Sequence, residues 1–287
     1  MARYRIHHIT LYRYDRAVKL HSHVVRLRPR SDGTQTLEYF DLRIDPLPVY
    51  QADLVDLDGN ATVGLWFDQT DATELHIKAS SEIRTHRKNP FDYLIAPWAV
   101  NAPIIYPQSL ASYLHPYCDN STGLVSDPGV TQLAHRILHD AQHNISCFLT
   151  TLTQHIYETC RYTTREQGEP QLAGITWHQK LGSCRDFTVL FMEACRSVGL
   201  AARFVSGYQE GDLTVAEREL HAWAEVYIPG GGWRGFDPTH GLAVADQHIA
   251  LAASAFPKDA SPVSGKLQGS HRDSTLDTHI TIEKLAD

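Results

Sequence analysis

The 287-residue sequence is 43% apolar and 21% charged, the balance of an ordinary globular protein with room for one large domain or two smaller ones. Its formal net charge of -7, with no clustering of Lys and Arg, excludes a general nucleic-acid binder. No window approaches a membrane span and the Arg- and His-rich start lacks the apolar run of a signal peptide, so a cytoplasmic location without a membrane partner is expected.

Residues 1–88 read as a β-rich N-terminal domain. Tyr4 to Tyr14 is dense in aromatic and β-branched residues, and Leu37 to Asp45 alternates through Phe40, Leu42 and Ile44. Asp58-Gly59-Asn60 reads as a hairpin turn into Val63 to Phe67, and Leu75, Ile77, Ala79 and Ile83 alternate again. Prolines at 90, 97, 103, 107 and 116 limit residues 89–126 to short helices and irregular chain. Phe91, Tyr93, Leu94, Trp98, Ile104, Ile105 and Tyr106 are too apolar to leave in water, so this stretch is a packed connector.

A third unit, residues 127–287, opens at Asp127-Pro128, a cap and first turn for a helix through Leu133, Ile137, Leu138 and Ala141. A second helix runs from about Ser146 to Cys160 with Leu149, Leu152 and Ile156 inward. The strongest pattern follows Gly182-Ser183-Cys184-Arg185-Asp186-Phe187. Apolar residues at Phe187, Leu190, Phe191, Ala194, Cys195 and Val198 put one stripe of a helix into a core, Ser183 and Asp186 make a capping box, and Gly199 ends it. Cys184 then sits in the first turn, where the helix dipole and free N–H groups favour a thiolate. Residues 200–208 read as a strand bending at Ser206-Gly207, residues 209–220 as a polar, acidic loop, and Leu276 to Leu285 as an alternating strand that closes a sheet.

A nucleophilic cysteine needs a base. His221 to Ile228 alternates as a strand, Pro229-Gly230-Gly231-Gly232 breaks the chain, and Trp233 to Asp237 follows as a second strand, which makes a hairpin. A loop of four residues would pair Ile228 with Trp233 and send Asp237 to the face opposite His221. A loop of five pairs Tyr227 with Trp233 and makes His221 and Asp237 diagonal neighbours on one face, within about 3 Å. The second register is the expected one, with Asp237 orienting the imidazole as the third member of a Cys-His-Asp set.

Gly-Ser-Cys-Arg-Asp-Phe, then the run Gly199-Leu200-Ala201-Ala202-Arg203-Phe204-Val205-Ser206-Gly207-Tyr208, then His221-Ala222-Trp223 and Gly235-Phe236-Asp237-Pro238-Thr239 resemble, in that order, the bacterial transglutaminase-like superfamily of papain-like cysteine hydrolases and acyltransferases. The flanks resemble its two-part bacterial members. The resemblance implies an α+β fold, a papain-like transglutaminase core in which the cysteine helix packs on an antiparallel sheet, preceded by a β-rich domain. It also implies Cys184 as nucleophile, His221 as base and Asp237 as orienter. The oxyanion would be held by the Cys184 backbone N–H and an upstream donor, for which Gln179 is the candidate. Trp223 would wall the site from water.

Other signals are weaker. His135, His139 and His143 share the spacing of one helix face, but Arg136 stands where a zincin motif has Glu, so a solvated face is expected. The acidic residues Glu210, Asp212, Glu217 and Glu219 lack EF-hand spacing and read as a solvated loop. Five cysteines, at 118, 147, 160, 184 and 195 with no C-x-x-C pair, suit a reducing compartment and no zinc site, and no cofactor is expected. The reading is acyl transfer on the amide of a peptide or protein, with hydrolysis by an amidase or peptidase favoured. The alternatives are crosslinking by a protein-glutamine gamma-glutamyltransferase and a catalytically silent binding module.

Overall fold

Alternation of burial along the first strand sets the architecture. The computed structural model describes residues 1–286 apart from 69, 119–126, 166–167, 212–217 and 269–273. Five strands come from the first part of the chain: β1 (Ala2–Val25), β2 (Gln35–Asp45), β3 (Tyr50–Val55), β4 (Ala61–Trp66) and β5 (Thr70–Thr85). They lie in the order β2-β5-β1-β4-β3. Tyr4, Ile6, His8 and Thr10 of β1 are buried at period two, and so are Leu75, Ile77 and Ala79 of β5. Among its described residues the connector carries one regular helix, α1 (Gln108–Cys118), and Ala99, Ala102 and Ile104 bury into the second core, as its apolar content requires.

The second layer follows. Asp127 caps α2 (Pro128–Asp140) by accepting from Gly129 N and Val130 N, and Asn144 caps α3 (Ile145–Thr159) by accepting from Cys147 N. Then come β6 (Arg161–Tyr162), α4 (Ala173–Gln179), β7 (Leu181–Gly182) and α5 (Cys184–Ser197). The sheet against which α5 packs is built from β8 (Ala202–Gln209), β9 (His221–Ile228), β10 (Gly232–Asp237), β11 (Leu242–Ala243) and β12 (His248–Ser254). Its order is β11-β10-β9-β8-β12, antiparallel throughout. Phe187, Leu190, Phe191 and Ala194 of α5 share one core with Ala222, Ala224 and Val226 of β9.

The sheets do not respect the division at residue 127. The chain after β12 returns to the first sheet as β13 (Val263–Gln268) and β14 (Ser274–Leu285), and β14 runs antiparallel to β1 with Tyr4 opposite Lys284 and Ile6 opposite Ile282. The reason is edge satisfaction: β1 needs a partner on its second side, and Ile280 and Ile282 supply the buried face. The acidic loop needs a similar correction. Glu210 is buried, accepts the Tyr4 hydroxyl at 2.7 Å and pairs with Lys284 at 3.0 Å, whereas Glu219 is exposed and Asp212 and Glu217 lie outside the described residues. His143 also departs from expectation, because α2 stops at Asp140; His135, His139 and His143 are exposed.

The first domain also covers the open edge of β12. The side-chain amide of Gln35 accepts from Ala250 N at 2.8 Å and donates to Ala250 O at 3.0 Å. Asn60 does the same at Ala253, with 2.8 and 2.9 Å. Two amide side chains thus satisfy backbone groups that an edge strand would otherwise leave unpaired. Among the described residues, no helix is long and apolar enough to cross a membrane.

Candidate active site

Cys184 is the first residue of α5, and the turn before it is fixed by a carboxylate. Asp186 Oδ2 accepts Ser183 N and the Ser183 hydroxyl, each at 2.8 Å, while Oδ1 accepts Arg165 at 2.6 Å and Gln171 N at 2.7 Å. Both halves of the expected capping box are present, and the Ser183 hydroxyl also donates to the Asp186 carboxylate. Burial acts to raise the Asp186 carboxyl, yet these donors hold it below the usual carboxylate range. Arg185 donates to Gly168 O and Arg165 O, so the chain between β6 and α4 is strapped beside the cysteine. Burial, with the charges of Cys184 and Glu219 nearby, raises the Tyr162 phenol.

The hairpin has the register that brings His221 and Asp237 together. Trp233 pairs with Tyr227 and Phe236 with Ala224. Pairing extends one step further than the sequence suggests, to Gly232 and Ile228, which leaves a loop of Pro229, Gly230 and Gly231. Gly230 at φ +88° and Gly232 at φ +71° take the left-handed backbone that this tight loop needs. His221 and Asp237 consequently meet: Nε2 of His221 donates to Oδ2 of Asp237 at 2.7 Å. That leaves Nδ1 as the nitrogen not engaged by Asp237, and Cys184 lies near enough to the ring to raise it. Cys184, His221 and Asp237 are all buried.

Charges reinforce this arrangement. Burial alone would lower His221, but the charge and hydrogen bond of Asp237, with Cys184 adding to them, raise it to about 10. Burial would raise Asp237, yet its carboxyl is held well below the usual range by the charge of His221 and by hydrogen bonds from three imidazoles. Two of these the sequence reading missed. His240 Nδ1 reaches the same Oδ2 at 2.8 Å and His248 Nε2 reaches it at 3.1 Å, while Oδ1 accepts Thr239 N at 2.9 Å and His240 N at 3.3 Å. His240 follows Asp237 by one turn, so proximity in sequence could have signalled it. His248 opens a strand two elements away and carries no such sign.

A metal between these groups does not fit. His221, Asp237 and His240 bring their ligand atoms within 4.8 Å of one another. Ligands at about 2.0–2.2 Å from a tetrahedral zinc stand roughly 3.3 Å apart. The imidazole–carboxylate distances of 2.7 and 2.8 Å are those of shared protons.

The remaining candidates fall as follows. Trp223 is buried, with its ring centroid 6.2 Å from that of His221 and 5.2 Å from that of His248. Gln179 ends α4 on an exposed position, and no hydrogen bond joins it to Cys184 among the described residues. A depression of about 520 Å³ lined by Gln154, His155, Glu158, Phe236 and Gly241 includes none of the three central side chains. A sulfur at a helix start, an imidazole near it and a carboxylate behind the imidazole are the kinds of group that nucleophilic catalysis can use.

Residues 131–238 match the transglutaminase-like superfamily, and residues 4–84 match the bacterial transglutaminase-like N-terminal region. An uncharacterized protein of Mycobacterium leprae is 27% identical over the full length of both chains. A protein-glutamine gamma-glutamyltransferase of Pseudomonas aeruginosa is 26% identical over 61% of this chain and 27% of its own. Among solved structures, a chain described as a "Putative Cysteine Protease" from Cytophaga hutchinsonii superposes with a TM-score of 0.73 over 100% of this chain and 91% of that one, at 19% identity, which establishes the shared fold. With a β-rich N-terminal sheet, a helix-on-sheet core and both sequence regions matched, the chain belongs to the bacterial transglutaminase-like superfamily.

Proposed function

We propose that the chain is a cysteine-dependent acyl-transfer enzyme acting on amide bonds of a peptide or protein, with water as the usual acceptor. The observation that carries this reading is the 2.7 Å hydrogen bond between His221 and Asp237, with Cys184 at the start of α5 close enough to the ring to raise it. With its proton passed to His221, the Cys184 sulfur forms a bond to the amide carbonyl carbon, and the carbonyl oxygen takes the negative charge. The first-turn N–H of Cys184 has no intrahelical partner and is free to hold that oxyanion, with Gln179 as the upstream candidate. His221 then gives its proton to the leaving nitrogen as the C–N bond breaks, which leaves a thioester on Cys184. Water attacks the thioester, His221 takes its proton, and the acid leaves as the sulfur is released.

The second reading, transfer to an amine instead of water, is supported by the likeness to the Pseudomonas aeruginosa gamma-glutamyltransferase. Acceptor choice separates the two. Incubation with peptide amides, with and without a primary amine, should yield an acyl-enzyme at Cys184 that decays to free acid. Conversion of most of the acyl-enzyme to the amine adduct at millimolar amine would favour crosslinking. Cys184→Ala and His221→Ala should each abolish acyl-enzyme formation while the chain still folds. Undiminished acyl-enzyme in either variant would overturn the proposal, and a wild-type chain that forms none with any amide would make it a binding module.

A further inference from the structure

Behind the imidazole cluster, two buried polar atoms have no hydrogen-bond partner: Nε1 of Trp223 and Nδ1 of His248. They are complementary in kind. An indole N–H only donates. His248 uses Nε2 to donate to Asp237, and burial keeps its ring below the usual histidine range, so Nδ1 carries a bare lone pair. The two rings lie edge to face, 5.2 Å between centroids. Both line one cavity of about 20 Å³, whose other walls include Thr34, Gln35 and Arg87 of the first domain and Ala250 of β12.

That volume holds one water and nothing larger, since a water site needs roughly 10–15 Å³ and two or more polar partners. A cation does not suit a wall that presents an indole N–H. An anion does not suit one that presents a lone pair. A molecule that accepts one hydrogen bond and donates another does, and a single bridge of this kind spans about 5 Å. We propose that the cavity is a binding site for one water molecule, which accepts the Trp223 Nε1–H and donates to His248 Nδ1, and that this water fixes the tautomer in which His248 holds Asp237. Gln35 clamps Ala250 at the same wall, so the N-terminal domain closes the site from behind. Trp223 and His248 are positioning residues that act through Asp237 on His221. This last consequence rests on the catalytic reading above; the water site itself does not.

The test uses the full chain. A crystal structure fine enough to show buried waters should place one ordered water about 2.7–3.2 Å from both nitrogens. Nitrogen-15 spectra of labelled histidine should show His248 protonated on Nε2 and bare on Nδ1. Trp223→Phe keeps the ring bulk and removes the donor, and it should slow iodoacetamide alkylation of Cys184 at pH 7 by about two- to tenfold, the range a single neutral hydrogen bond supports. An empty cavity in the wild-type crystal, or His248 protonated on Nδ1, overturns the proposal whether or not the variant folds. A folded Trp223→Phe with unchanged alkylation and unchanged His248 shifts overturns the positioning role. A water present in a chain that forms no acyl-enzyme leaves the site standing and removes only the catalytic reading.

Discussion

His221 is held by Asp237 through Nε2 and not through Nδ1, at 2.7 Å. The carboxylate therefore fixes the ring with Nε2–H toward Asp237 and leaves Nδ1 as the nitrogen free to exchange a proton with another group. Three imidazoles share the Oδ2 of Asp237, and that crowding is possible only around a full negative charge.

Replacing that charge with an amide should damage both chemistry and stability. Asp237→Asn is expected to lower turnover by about 10²- to 10⁴-fold, by analogy with loss of the orienting carboxylate in a serine-protease triad. It should also destabilise the fold by about 1–3 kcal/mol, because imidazole donors lose a charged acceptor in a buried place. Single-turnover kinetics on an amide substrate and urea denaturation read the two effects. Wild-type turnover in the variant would remove Asp237 from the mechanism.

The pH dependence of stability follows from the directions of the two shifts. His221 is raised from an ordinary value near 6.5 to about 10 on folding, so its contribution is complete below the unfolded value and is lost as pH rises toward 10. Asp237 is depressed, so its contribution is present above about pH 4 and is lost as pH falls through its folded value. The stability difference between wild type and His221→Ala should be largest near pH 5–6 and shrink steadily to pH 10. Chemical denaturation at pH 6, 8 and 10 checks this. A difference that grows with pH would mean that His221 is neutral in the folded chain.

Much of this site was legible because its parts lie on elements with strong periods. The stripe from Phe187 to Val198 announces α5 and fixes Cys184 at its start, and the parity of the glycine loop decides whether His221 and Asp237 share a face. What was not legible depends on contacts between elements distant in sequence. The alternation of Leu276 to Leu285 marks a strand but says nothing of its pairing with β1, which joins the chain's two ends. Glu210 looks solvated until Tyr4 and Lys284 are brought to it. His248 reads as an unremarkable polar residue at the start of an alanine-rich strand, and only the sheet order, with β12 beside β8, carries it to Asp237.

Four of the five cysteines, at 147, 160, 184 and 195, should separate cleanly by reactivity. Burial raises the Cys195 thiol strongly and the Cys160 thiol to a lesser degree, so both should resist alkylation. Cys147 is exposed but has no imidazole contact among the described residues, and it should react as an unassisted surface thiol. Cys184, with its thiol against His221, should be modified first by iodoacetamide between pH 6 and 7, as peptide mapping would show. If Cys147 is modified faster than Cys184 under those conditions, the imidazole contact does not activate the sulfur.

Gly207 provides a test of the packing that supports this contact. It sits in β8 opposite His221, and a Cβ added there would press on the carbonyl oxygen of Ile249 in β12 and lie 2.5 Å from Cη2 of Trp223. The carbonyl cannot yield without parting β8 from β12, and the indole cannot yield without moving against His248. Gly207→Ala should therefore cost about 1–3 kcal/mol, as overpacking in a close-packed core does. Because the displaced groups are the ones behind Asp237, it should also slow alkylation of Cys184. Urea denaturation and iodoacetamide kinetics on the same sample measure both, and a variant within about 0.5 kcal/mol of wild type, the usual range for a surface substitution, would show that the strands have room there.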